Sequence, residues 1–207
     1  MPFLWVPDQK GPMKKIFSLL LLFTAGLCIS AHAELQWKTG YVILTSGDSI
    51  KGDIRVNTKK ELPLFQKVAL KQGETSKTYK PEQVKEFGFE GNRFLSRKVD
   101  GEQQFLKVIS YGHVILYELQ FELQRGDQVI VDKEYYTELN DGSGNGPQKL
   151  KLNKFKKSVA ELMSDNTELV ARIQNDDKKY EIGDVQSVIE EYNSWYDQQN
   201  GSLQGAR

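Results

Sequence analysis

Tyr41-Val42-Ile43-Leu44-Thr45-Ser46-Gly47-Asp48-Ser49-Ile50-Lys51-Gly52-Asp53-Ile54-Arg55-Val56 reads as a β-hairpin. An apolar run enters, Ser46-Gly47-Asp48 turns it, and Ile50, Gly52, Ile54 and Val56 return at period two, the alternation of a strand with one buried face. The same punctuation recurs at Gln72-Gly73, Gly91-Asn92, Asp100-Gly101, Gly112 and Gly126-Asp127. Between these points lie candidate strands over 67–71, 85–89, 93–99, 104–111, 114–123 and 128–137. Within 114–123 and just beyond it, Leu119, Phe121 and Leu123 alternate with Gln120, Glu122 and Gln124, so that strand is expected to have one wet face. Short strands at roughly 10–14-residue spacing predict an antiparallel meander, closed as a barrel or folded as a sandwich. Pro81-Glu82-Gln83-Val84 reads as a single helical turn between strands.

Asn140-Asp141-Gly142-Ser143-Gly144-Asn145-Gly146-Pro147 has the composition of a flexible connector, assigned to 140–148. Beyond it the apolar period changes from two to that of a helix. Phe155, Val159, Leu162 and Met163 share one face. Asp165 with Glu168 has the form of a capping box opening a short helix with Leu169, Val170 and Ile173. Asp184 is placed to cap a last helix in which Val185, Val188, Ile189, Tyr192, Trp195 and Tyr196 recur at helical spacing, with a frayed tail after Gln199. The expected fold is therefore α+β: a β-rich part over 40–139, then about three short helices within 149–199 packed on it, in one domain over 34–207. Three short helices are marginal alone, which is why they are expected to pack on the sheet.

Ahead of this domain, Met13-Lys14-Lys15 runs into Ile16-Phe17-Ser18-Leu19-Leu20-Leu21-Leu22-Phe23 and the segment closes on Ala31-His32-Ala33. A positive start, an apolar stretch and a small-x-small ending are the three parts of a secretory signal, with cleavage expected between Ala33 and Glu34. The apolar stretch is shorter than the roughly 20 residues a spanning helix needs. Processing at Cys28 to a lipid-anchored form is the rival. Residues 1–12, with Trp5 and Asp8, do not suit a signal and read as an extension ahead of a true start at Met13. The expected location is exported, periplasmic or extracellular, with no transmembrane helix in the mature chain.

The full sequence of 207 residues balances 28 basic against 28 acidic side chains. Removing 1–33 takes Lys10, Lys14, Lys15 and Asp8 with it and leaves a slightly acidic chain. No concentrated positive field marks a nucleic-acid groove. The same cut removes the single cysteine and one of two histidines. No thiolate nucleophile, cysteine zinc site or multi-histidine metal site then remains to be built.

Four groups of residues still merit weighing. Asp141, Ser143, Asn145 and Gly146 match the first half of a calcium loop, but Leu152 stands where its bidentate glutamate belongs, so no metal is assigned. His113, after Gly112 at a turn, is a general base only if a nucleophile accompanies it; Gly142-Ser143-Gly144 lacks that frame, and a surface histidine is expected. Glu118 and Glu122 lie on the wet face of one strand with Glu134 near, the raw material of a glycoside-cleaving pair if they converge across a cleft. Tyr135 and Tyr136, and Tyr192, Trp195 and Tyr196, have the aromatic surface to stack on ligands, but the last three continue the apolar stripe and are expected in the core. No catalytic residue and no cofactor are assigned.

Gly40 to Ile54 resembles the opening hairpin of a loose group of uncharacterised exported β-rich proteins of Bacteroidota-type bacteria. Ile189-Glu190-Glu191-Tyr192-Asn193-Ser194-Trp195-Tyr196 resembles the way such proteins end. The resemblance covers only the two ends of the mature chain and implies a secreted or envelope location without a particular activity. The same hairpin is similar to the first strands of Sm-like small barrels, but the exported leader and slightly acidic chain argue against RNA binding. The leading expectation is a non-enzymatic envelope protein that binds a partner or serves structurally. The alternative is a β-barrel carrier of a small apolar ligand or lipid, and a carboxylate-dependent hydrolase stands third.

Overall fold

The computed structural model describes residues 34–151, 154–175 and 182–204. The leader, including Ala33 on one side of the expected cleavage point, lies outside the described residues. Ten strands form one sheet: β1 (Leu35–Leu44), β2 (Ser49–Asn57), β3 (Val68–Gln72), β4 (Thr75–Tyr79), β5 (Val84–Phe89), β6 (Asn92–Val99), β7 (Glu102–Ser110), β8 (Val114–Arg125), β9 (Gln128–Leu139) and β10 (Gln148–Lys149). The helices are α1 (Pro63–Gln66), α2 (Phe155–Leu162), α3 (Thr167–Asn175) and α4 (Val185–Gln204). Pro81–Gln83 makes the expected single turn, of 3₁₀ type.

Every pairing is antiparallel, in the order β10-β9-β8-β7-β6-β5-β1-β2-β3-β4. Two meanders, β1–β4 and β5–β10, are stitched together where β1 lies beside β5. The sheet is open, with β4 and β10 at its two ends, so the closed barrel of the sequence expectation is corrected. The six sequence-derived strands from residue 67 onward are all present within a residue or two, apart from β9 running on to Leu139 and β8 to Arg125. Two of the hairpins close on two-residue loops, Glu90-Gly91 and Asp100-Gly101, in which both residues have positive φ, the turn whose twist suits a β-ribbon.

Sequence patterning started one element late and missed three. β1 starts at Leu35 rather than Tyr41, α1 is one turn between β2 and β3, and β4 and β10 are too polar or too short to show a period. Gln148, assigned to the connector, pairs with Thr137. The 3.6-residue pattern did find the C-terminal helices. Two helix ends differ: Asn166, not Asp165, caps α3, its Oδ1 accepting from the Leu169 N–H at 3.0 Å, and α4 continues past Gln199. Met163 already holds Asn166 in a turn through its carbonyl, so the first free N–H groups of α3 face the next side chain along.

Two cores result. The first is built on phenylalanine: Phe87 stacks on Phe94 at 4.6 Å and meets Phe105 edge-on at 4.9 Å, while Phe65 of α1 closes on Phe94 at 5.5 Å. The second joins α2, α3 and α4 to Val114 and Leu116. Successive residues of a strand face opposite ways, so Val114 and Leu116 serve the helical core while Ile115, Tyr117 and Leu119 serve the other. β8 is thus buried on both faces from Val114 to Leu119, and the wet face expected from its sequence begins only beyond that point. None of the described helices is long and apolar enough to cross a membrane.

Candidate functional site

Beyond Leu119 the β8–β9 hairpin outruns both cores. Leu123 is exposed on one face, and Val129 and Val131, 60% and 53% exposed, lie on the other. β10 covers β9 only at Tyr136 and Thr137, with one further bond from the Leu150 N–H to the Tyr135 carbonyl. Among the described residues, none pairs with the outer side of β9 from Gln128 to Glu134, which is therefore a sheet edge. The pairing Arg125↔Gln128 closes the hairpin. Alternation along an antiparallel ladder then turns the backbone N–H and C=O of Val129, Val131 and Lys133 outward. One of these donors is met locally: the Lys133 N–H bonds Asp132 Oδ1 at 2.8 Å.

A cleft of about 870 Å3 opens beside this hairpin, between β4 with the Pro81–Gln83 turn and β7 with β8. Its walls are mixed: Gln66, Gln83, Gln103, Gln104 and Gln120 contribute amides beside the apolar surface of Phe65, Leu119 and Phe121. It is an open groove and not a lumen for an apolar cargo.

The candidate carboxylates do not converge. Glu118 is buried, accepting from Lys133 at 2.9 Å and Gln120 at 2.7 Å. Gln120 also reaches Glu61, which Lys107 holds at 2.7 Å, so a neutral amide bridges two carboxylates that each have a lysine on the far side. Glu134 pairs in register with Leu119 and so faces the side of the hairpin opposite Glu118 and Glu122; Lys149 and the Tyr136 hydroxyl bind it there. Sequence spacing placed these three side by side, and strand register separates them.

His113 is a seam residue. Its ring stacks on Tyr196 at 3.6 Å between centroids and 5° between planes, with Tyr192 at 6.2 Å, and its carbonyl takes the Asn140 N–H. Tyr192 is buried as expected and its hydroxyl donates to Asp165, which explains why Asp165 is not free to cap α3. Trp195 and Tyr196 are only half-buried at the rim of the helical core, a correction to their expected core placement. Tyr136 is buried and Tyr135 half-buried, which leaves Tyr136 no face for stacking on a ligand. Asp141 bonds the Ser143 N–H at 2.8 Å, a turn complete in itself that holds its exposed carboxyl below the usual range. Among the described residues no group of three or more His, Cys, Asp or Glu side chains is arranged to hold a metal ion.

Among the described residues, four tyrosines donate to carboxylates. Burial, then donation to Glu86, pushes Tyr41 up to about 12, and burial with donation to Glu138, Glu134 and Asp165 raises Tyr117, Tyr136 and Tyr192 in the same sense. The folded state thus favours the neutral phenol. Its stabilisation is complete below about pH 10, the ordinary tyrosine value, and is lost as pH rises through the folded values. An alkaline absorbance titration should show part of the nine tyrosines ionising well above pH 10, together with loss of structure. A single transition near pH 10 in a chain still folded by circular dichroism would contradict this.

Comparison of the chain with protein-family models, characterised proteins and solved structures gave no match.

Proposed function

We propose that this chain is an exported, non-enzymatic interaction module of a cell envelope, which works by strand addition at the free edge of β9, and that its occupant is a second copy of the chain. The observation that carries this is the open edge from Gln128 to Glu134 with Val129 and Val131 exposed beside it. Long apolar edges are a pairing template that most proteins cover or blunt. The edge is self-complementary. A two-fold axis at Ile130 sets Val129 against Val131 twice, in hydrogen-bonding positions, and brings Asp127 alongside Lys133 of the other copy. Export is supported by the leader pattern of residues 13–33 and by the chain after it, which carries no cysteine. The apolar-carrier alternative loses its premise in an open sheet with filled cores.

Val131→Pro tests this directly. The Val131 N–H points away from β8, so proline removes an outward donor without breaking the hairpin ladder. Sedimentation equilibrium of the purified protein should show a dimer at micromolar concentration, and the variant should be monomeric with an unchanged melting midpoint. A wild-type protein that stays monomeric throughout that range sinks the proposal.

A further inference from the structure

We infer that the pocket between Arg93 and Arg97 binds the carboxylate of a small organic acid. The two arginines stand four residues apart on β6, hence on one face, with Leu95 between them. They line a cleft of about 360 Å3 floored by Val84, Leu95 and Ile115, within the range of small-ligand sites.

Both guanidiniums are held from behind. Glu86 takes Arg93 Nη2 at 2.7 Å, and Arg93 lies over the Tyr111 ring at 4.7 Å. Glu138 takes Arg97 Nε at 2.9 Å, Arg97 Nη1 donates to the Ser96 carbonyl at 3.1 Å, and the guanidinium lies 6.0 Å from the Tyr117 ring. The same two carboxylates each accept a tyrosine hydroxyl at 2.5 Å, from Tyr41 and Tyr117. Burial would raise the Glu86 carboxyl, but the hydrogen bonds from Arg93 and Tyr41 hold it below the usual range, so this anchor stays ionised near neutrality.

Counting their bonds to Tyr111 and Tyr117 as well, these contacts engage two of the five N–H donors of Arg93 and three of those of Arg97. The forks are therefore fixed in orientation with donors to spare. Lys85 lines the same cleft, so three cations face the two carboxylates Glu86 and Glu138 and one positive charge is unbalanced. A planar carboxylate matches a planar guanidinium two bonds at a time, and the aliphatic floor suits the body of an organic acid better than bare inorganic ions.

Calorimetric titration of the purified protein at low salt with benzoate and with succinate, and with inorganic phosphate for comparison, tests the assignment. One of the two acids should bind one to one with a Kd below about 1 mM. Arg97→Gln should weaken that at least tenfold. Lys85→Gln, at an exposed position, should weaken it several-fold with no change in melting midpoint. The Val131→Pro monomer should bind as the wild type does, which separates this site from the β9 edge. Phosphate binding as tightly as either acid, with the same loss in Arg97→Gln, overturns the carboxylate assignment. Absence of saturable binding by both acids in folded wild-type protein overturns the pocket.

Discussion

Gly40→Ala should lower the stability of the fold by about 3 kcal/mol or more, at the upper end of what overpacking costs. Gly40 of β1 pairs with Gly52 of β2 on one side and with Phe89 of β5 on the other. A Cβ at Gly40 would stand 2.3 Å from the Gly88 carbonyl oxygen and 2.8 Å from Ile54 Cγ1. Gly52 has the same difficulty with the Lys71 carbonyl, also 2.3 Å away. The obstacle in each case is backbone, which cannot rotate aside as a side chain does. A methyl group at either position would force the neighbouring backbone to shift. Chemical denaturation checks this: the midpoint should fall sharply in Gly40→Ala, while Gly73→Asn, at a turn with open space around its missing Cβ and a φ of +58° that asparagine tolerates better than other side chains, should lose much less. Equal midpoints for Gly40→Ala and wild type would show that the strands accommodate the methyl group.

Asn193→Leu should detach the helical layer. The Asn193 side chain sits at the joint between α4 and β8, accepting from the Val114 N–H and donating to the Val114 carbonyl, each at 2.9 Å. One amide thus satisfies both backbone groups of a residue that is fully buried. Leucine keeps the volume and removes both bonds, leaving a donor and an acceptor unpaired, each at about 1–3 kcal/mol. Gly112 belongs to the same joint, because a Cβ there would lie 2.5 Å from Asn193 Cγ. Hydrogen exchange should show α2, α3 and α4 losing protection in Asn193→Leu before the sheet does, since the phenylalanine core does not use this contact. Uniform loss across both layers would mean that the two cores unfold as one.

Much of this architecture was legible because it is local. The hairpin from Tyr41 to Val56, the glycine-bearing turns and the stripe from Val185 to Tyr192 each announce themselves within a dozen residues, where the side-chain period alone decides strand or helix. Misses have equally local causes. β4, Thr-Ser-Lys-Thr-Tyr, has one buried residue and no alternation to detect, and β10 is two residues long. The candidate sites fared worse. Glu118, Glu122 and Glu134 looked like neighbours in sequence, but pairing of Leu119 with Glu134 puts the last on the other face. Arg93 and Arg97 passed unnoticed, because their partners Glu86, Tyr111, Tyr117 and Glu138 come from four other stretches of chain and no spacing rule joins them.

The sequence alone determined an α+β chain of antiparallel strands followed by helices, since apolar periodicity and turn chemistry are properties of adjacent residues. Only the tertiary structure decided that the sheet stays open, that β8 is buried on both faces, that the edge of β9 is left bare and that two arginines share a pocket. Each of those depends on which distant strands pair and in what register, where a shift of one residue exchanges the two faces of a strand, and local pattern carries no measure of that.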